Sequence, residues 1–164
     1  MQKYFLLFPL LALVMCGCNK DKIAAEDLRL PRLMVETRGI NYGGMGAKVV
    51  EFPVSGTRIA LRKEPLVSEF DIVNVELVKV DMGLALLLQT NEKGARELYR
   101  GTVTHMGGRI VLMVNDNPVG ARRIDNSFRN GDFGNYYTFV EIDDEELGQL
   151  VLDMKKSIQQ LQDR

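Results

Sequence analysis

The chain has no tryptophan, a single histidine at His105, and only two cysteines, Cys16 and Cys18, both among its first eighteen positions. One imidazole with no thiol elsewhere cannot furnish the four nitrogen and sulfur ligands of a structural zinc site. No metal and no cofactor is therefore expected. Neither sign of charge is in excess, with 21 Lys plus Arg against 22 Asp plus Glu. The chain thus lacks the basic field that draws proteins to nucleic acid, and a nucleic-acid partner is excluded. The longest apolar run, Tyr4 to Met15, is about a dozen residues, whereas a helix needs roughly twenty to cross a bilayer. No internal repeat is present. What remains is a chain of 164 residues with 46% hydrophobic and 26% charged residues, the balance of one globular domain of ordinary size.

The N-terminus has the three-part layout of a secretory signal. Lys3 supplies a positive charge, Tyr4 to Met15 the apolar run, and Gly17 the small residue before a polar stretch beginning at Asn19. The sequence Met15, Cys16, Gly17, Cys18 resembles a bacterial lipobox, in which cleavage follows a small residue and the next cysteine receives lipid. Cys16 is the weaker acceptor, because Met15 would then occupy the cleavage position. Residues 1–17 are read as the signal peptide and Cys18 as the lipidation site. Cys16 would leave with the signal, so no disulfide can form in the mature chain, which suits an oxidising compartment. More than one acyl chain gives stable anchoring to a membrane. Asn19 lacks the aspartate that retains such proteins at the inner membrane. The expected location is therefore the cell envelope, facing the periplasm, at the outer membrane where there are two.

After the signal, residues 18–52 mix charges with Pro31 and the glycines Gly39, Gly43, Gly44 and Gly46, and predict a tether with a loosely held arm. Residues 53–164 are expected to fold alone, leaving 19–48 dispensable for stability. Period-two alternation marks strands at Thr57 to Lys63 and at Ile72 to Val80. Asp81 to Gln89 and Arg109 to Val114 are almost continuously apolar, as strands covered on both faces are. Asn115, Asp116, Asn117 and Pro118 form a turn, Val119 to Ile124 pairs back, and Tyr136 to Ile142 is a further strand. One helix starts at a cap on Thr90 or Asn91, buries Ala95, Leu98, Tyr99, Thr102 and Val103, and stops at Gly107 and Gly108. A second begins at Asp143, with Glu146 completing a capping box, and carries the stripe Leu147, Leu150, Val151, Met154, Ile158 and Leu161. The fold class is α+β: a single domain with an antiparallel or mixed sheet and two amphipathic helices packed on it.

The order of residues from Glu69 onward resembles the head subdomain of the first periplasmic domain of SecD and SecDF protein-export proteins. It is carried by Glu69, Phe70, Asp71 and Ile72, by Leu84 to Leu88, and by Thr90, Asn91, Gly94, Ala95, Leu98 and Tyr99. Thr102 to Thr104 follow, then Gly108 and Arg109, the strand Ile110 to Val114, and the turn Asn115 to Pro118 with Val119. Phe128, Gly131, Tyr137 to Val140, Glu145, Glu146 and Leu150 match the closing strand and helix. The resemblance implies a module that binds emerging polypeptide outside the membrane. Without a spanning helix, only this binding part is expected to carry over.

Candidate sites are few. Gly43 to Lys48 lacks the Ser or Thr after Gly-Lys and the preceding strand that a phosphate loop needs, so it is read as a flexible loop. His105 lies near Asp116 in sequence, but no spacing supplies a nucleophile with an orienting partner, and it is read as a helix-end residue. Arg122, Arg123 and Arg129 form the densest basic cluster and are the candidate partner contacts, beside a sheet edge expected after Pro118 where an extended chain can add. The expected function is that of a non-enzymatic binding module, anchored in the membrane by lipid, with an exported polypeptide or an envelope protein as partner. A structural lipoprotein assembling through its last helix is the alternative, and an envelope hydrolase acting through His105 comes last. Mass spectrometry of the mature N-terminal peptide is expected to find Cys18 first and acylated, and Cys18→Ser to leave the protein unprocessed or unanchored. A mature N-terminus at any other residue refutes the anchor.

Overall fold

Ten segments acquire regular structure, and their order follows the alternation of period-two and helical patterns. A computed structural model of the chain describes residues 22–37, 47–81, 83–125, 134–142 and 144–163. The strands are β1 (Pro31–Val35), β2 (Ala47–Glu51), β3 (Arg58–Arg62), β4 (Ile72–Val80) and β5 (Gly83–Thr90). Helix α1 (Glu92–Thr104) precedes β6 (Arg109–Val114), β7 (Asn117–Arg123) and β8 (Asn135–Val140), and α2 (Asp144–Gln162) closes the fold. Six strands make one sheet in the order β1-β6-β7-β8-β5-β4, and β2 pairs with β3 separately. Every pairing is antiparallel.

The large sheet buries both faces over half its width. On one face Leu86, Leu88, Ile110, Leu112, Val114 and Tyr136 pack against Leu98 of α1 and Leu147, Val151, Met154 and Ile158 of α2. On the other, Met34, Val111 and Met113 pack under Val50, Phe52, Ile59 and Leu61 of the β2–β3 hairpin. Hence β6 reads as an unbroken apolar run: its alternate side chains enter two different cores. Strand β5 is an inner strand too, yet its Leu87 is only half-buried, because the hairpin core draws on β1, β6 and β7 and not on β5.

The expected boundary at residue 53 falls inside the fold. Strand β1 pairs with β6 at all five positions and places Leu33 and Val35 in the main core. Ahead of it, the Asn115 side chain accepts from Leu30 N at 3.0 Å and donates to Leu28 O at 2.9 Å. Asn115 itself has φ 55°, a left-handed conformation that Asn tolerates and the tight β6–β7 turn requires. Arg29 N donates to Ser157 Oγ at 2.9 Å. Ile23 exchanges two bonds with the Gln160 amide, at 2.8 and 2.9 Å. Within the arm, β1 is thus an integral strand with a clasped lead-in that includes Ile23.

Helix α1 starts as the sequence indicates, with Asn91 Oδ1 accepting from Gly94 N at 2.8 Å. Its buried line differs. Gly94, Leu98, Gly101 and Thr102 face inward, while Tyr99 and Val103, expected to be buried, are 41% and 50% exposed. The two glycines, seven residues apart, set this rotation. A Cβ at Gly94 would sit 2.8 Å from Thr90 Cβ, and one at Gly101 would run into the Leu66 side chain. Of the α2 stripe, Leu147, Val151, Met154 and Ile158 are core, with Leu150 at its margin, while Leu161 is half-buried outside that cluster; the expected cap Asp143 lies outside the described residues.

Strands β7 and β8 share only two register pairs, Gly120 with Val140 and Ala121 with Phe139, plus Glu141 N donating to Val119 O at 2.9 Å. At Gly120 a Cβ would collide with the Phe139 carbonyl oxygen. Gly120→Ala is expected to cost about 1–3 kcal/mol by overpacking this seam, read as a lowered urea midpoint. A chain begun at residue 53 is expected not to fold, since it leaves Ile110 and Leu112 unpaired along one edge; circular dichroism checks this.

Candidate functional site

Cys18, Arg129 and Gly43 to Gly46 lie outside the described residues. Arg122 and Arg123 are adjacent on β7, so they project to opposite faces of the sheet. Arg122 lies 5.9 Å from the centroid of the Tyr136 ring and donates to Tyr137 O at 3.4 Å. Tyr136 is buried, and that burial pushes its hydroxyl pKa upward. Arg123 faces the other way, lining a cavity of about 410 Å³ with Glu36, Gly107 and Arg109. There Arg109 is held by Glu36 in a forked pair, both contacts 3.1 Å. The two arginines are not one basic patch. The expected edge beside Pro118 is also corrected: β7 lies between β6 and β8, so no strand can add there.

His105 caps α1, its Nδ1 donating to Gly101 O at 2.9 Å. Asp116 sits beyond the other end of β6, roughly 20 Å away at ~3.3 Å per residue, and pairs with Lys48 at 2.7 Å. The histidine and this carboxylate are not brought together. Among the described residues no group of three or more His, Cys, Asp or Glu side chains is placed to hold a metal, and no helix is long and apolar enough to cross a membrane.

Two features do stand out. The first is a cleft of about 440 Å³ between the β6–β7 turn and α2, floored by Val114, Val119 and Leu150 and rimmed by Arg29, Glu146 and Asp153. The second is the outer edge of β4, which the sequence reading passed over. Its start is fixed by Asp71, a buried carboxylate that accepts from Ser68 Oγ at 2.6 Å and Lys93 Nζ at 3.0 Å. Asn91 Nδ2 donates to it at 3.3 Å, and Asn91 N donates to Asp71 O at 2.9 Å. One residue thus ties the helix cap to the first residue of the edge strand. Burial raises the Asp71 pKa, but the bonds from Ser68, Lys93 and Asn91 outweigh it, so the carboxyl titrates below its ordinary value.

No protein-family model matches the chain, and no curated protein matches it. Solved structures do. One is SecDF in a super-membrane-facing form, with a TM-score of 0.56 and 13% identity over 78% of this chain and 19% of that one. Another is a SecDF described as a membrane component that enhances protein export, with a TM-score of 0.55 and 14% identity over 79% of this chain and 64% of that one. This chain therefore has a SecD-like fold, and it spans less than two thirds of either neighbour's length.

A carboxyl whose folded pKa is depressed adds stability above its unfolded pKa and loses it as pH falls through the folded value. Unfolding free energy is expected to be level above about pH 5 and to fall below about pH 4. Asp71→Asn is expected to cost about 1.5–3 kcal/mol at neutral pH and to flatten the acid limb. Urea titrations in about 0.5 M salt, which screens the exposed Lys48–Asp116 pair, check both.

Proposed function

We propose that this chain is a cell-envelope lipoprotein, tethered through Cys18, that acts as a non-enzymatic binding module for polypeptide on the periplasmic side of the membrane. The observation that supports it is the SecD-like fold over more than three quarters of the chain, combined with an apolar N-terminal segment that ends at Gly17 and Cys18. Its partners are exported polypeptides or the export machinery that handles them, and its residence is the outer membrane where two membranes exist. A fold built of short strands and close glycine contacts supplies shape and edges; the lone histidine is spent on capping a helix.

A second reading rests on a separate observation. Helix α1 leaves Tyr99 and Val103 exposed, with Met106 exposed just beyond its end, and exposed apolar stripes of this kind mark interfaces. It favours a structural lipoprotein that assembles with another envelope protein. Photo-crosslinking in living cells from Lys79 and from Tyr99 separates the two. Many unrelated exported chains, or translocase components, are expected from Lys79. One stoichiometric envelope protein, trapped from Tyr99 alone, supports the structural reading and overturns the first.

A further inference from the structure

We infer that the outer edge of β4, from Val75 to Val80, is a strand-addition site for an extended polypeptide that carries an acidic and a basic residue on its two opposite faces. The inference rests on the polypeptide-binding reading and names its site.

The backbone makes the case first. Strand β4 is the longest in the sheet at nine residues and has a neighbour, β5, on one side only. Alternate residues of an edge strand direct their N–H and C=O groups outward, and these groups are a template for another chain. Among the described residues only Gln162 answers them, its Nε2 donating to Val73 O at 3.3 Å. From Val75 onward no bond from another described residue reaches that side. The opposite edge of the sheet is already used. Leu33 N of β1 donates to Val67 O at 3.0 Å, Leu66 N and Val67 N donate back to Leu33 O, and Thr37 N donates to Ala60 O at 2.8 Å.

The side chains then select the occupant. Register with β5 places Val75, Leu77 and Lys79 opposite Leu88, Leu86 and Leu84, on the helix side of the sheet. Glu76, Val78 and Val80 lie opposite Leu87, Ala85 and Gly83, on the other side. Leu77 is 39% exposed, and Val78 and Val80 are half-buried, so an added strand meets apolar contact on both faces. Lys79 is exposed and has no ion pair among the described residues, while Glu76 accepts only from Asn74 Nδ2, at 2.9 Å. Complementary charge therefore puts an acid on the helix side and a base on the other, an odd number of residues apart along the occupant.

The tether places this edge. Gln162 holds Val73, and Gln160 two residues earlier clasps Ile23. Ile23 lies five positions after Cys18, a reach of at most roughly 17 Å. With Cys18 in lipid, the start of β4 is held near the bilayer surface rather than at the end of a long tether.

The test uses the full mature chain and fluorescent ten-residue peptides of alternating Val and Thr with one Glu and one Lys three residues apart. Two further peptides carry N-methyl groups on alternate amides, one set along each edge of the peptide. Strand addition requires that one methylated set loses at least about tenfold in affinity while the other binds like the parent. Lys79→Glu, an exposed change checked for folding by circular dichroism, is expected to weaken binding several-fold, with recovery when the peptide Glu is changed to Lys. Equal binding by the two methylated sets, or no binding of the parent peptide at ~1 mM, overturns the β4 site. If living-cell crosslinks to exported chains then persist from surfaces other than β4, polypeptide binding stands and only its place is wrong.

Discussion

Two rungs between β7 and β8 hold the sheet together as one. On one side of that seam lie β1, β6 and β7, which carry the hairpin core; on the other lie β8, β5 and β4. The seam closes because Gly120 presents only a hydrogen where a side chain would meet the Phe139 carbonyl. Beyond it the strands have no further register pairs, and the Arg122 guanidinium bridges to Tyr137 O instead. The helices reinforce the join from one face, since Leu98, Leu147 and Met154 belong to a core that also takes side chains from both halves of the sheet. A single apolar cluster thus reinforces a sheet whose two halves backbone pairing joins at only a few bonds.

A second set of contacts fixes α1 to the start of β4. Asp71 receives the Asn91 amide and side chain, and Gly94 lets the helix approach Thr90 and the Asp71 carbonyl. Thr90 in turn donates to Gly134 O through both its N–H and its hydroxyl, each at 3.0 Å. These are among the residues that carry the resemblance to SecD, and their chemistry is structural. They specify where a helix begins against two strands. At 13–14% identity, what this chain shares with the SecDF neighbours is the fold.

Much of this was legible from local pattern. Six strands, both helices, the Asn91 cap and the Asn115 turn follow from period, capping and turn chemistry. Strand β1 was hidden because its five residues include Arg32 and open on Pro31, and its partner β6 lies some eighty residues downstream. No local signal reports a pairing of that range. The facing of α1 was misread because weight fell on Tyr99 and Val103, whereas a close contact is marked by the absence of a side chain, at Gly94 and Gly101. The arginine pair looked like a cluster in one dimension and is divided by the pleat in three. Edge position is a property of strand order, so sequence offered no way to tell that β4 is open and β7 enclosed.

The clasp between Ile23 and Gln160 has a mechanical consequence. If the chain is pulled at its N-terminus while β4 is held, part of the tension passes from the Gln160 amide into α2 and from Gln162 to Val73, and part crosses the sheet. The path across the sheet runs through the Asn115 bonds to Leu28 and Leu30, then along β1 into β6 and β7. Ladders of five and six register pairs lie in series with one of two. Along that path, a load that the flanking ribbons share among many bonds is concentrated on the rungs at Gly120 and Ala121, the first backbone junction to give within the sheet.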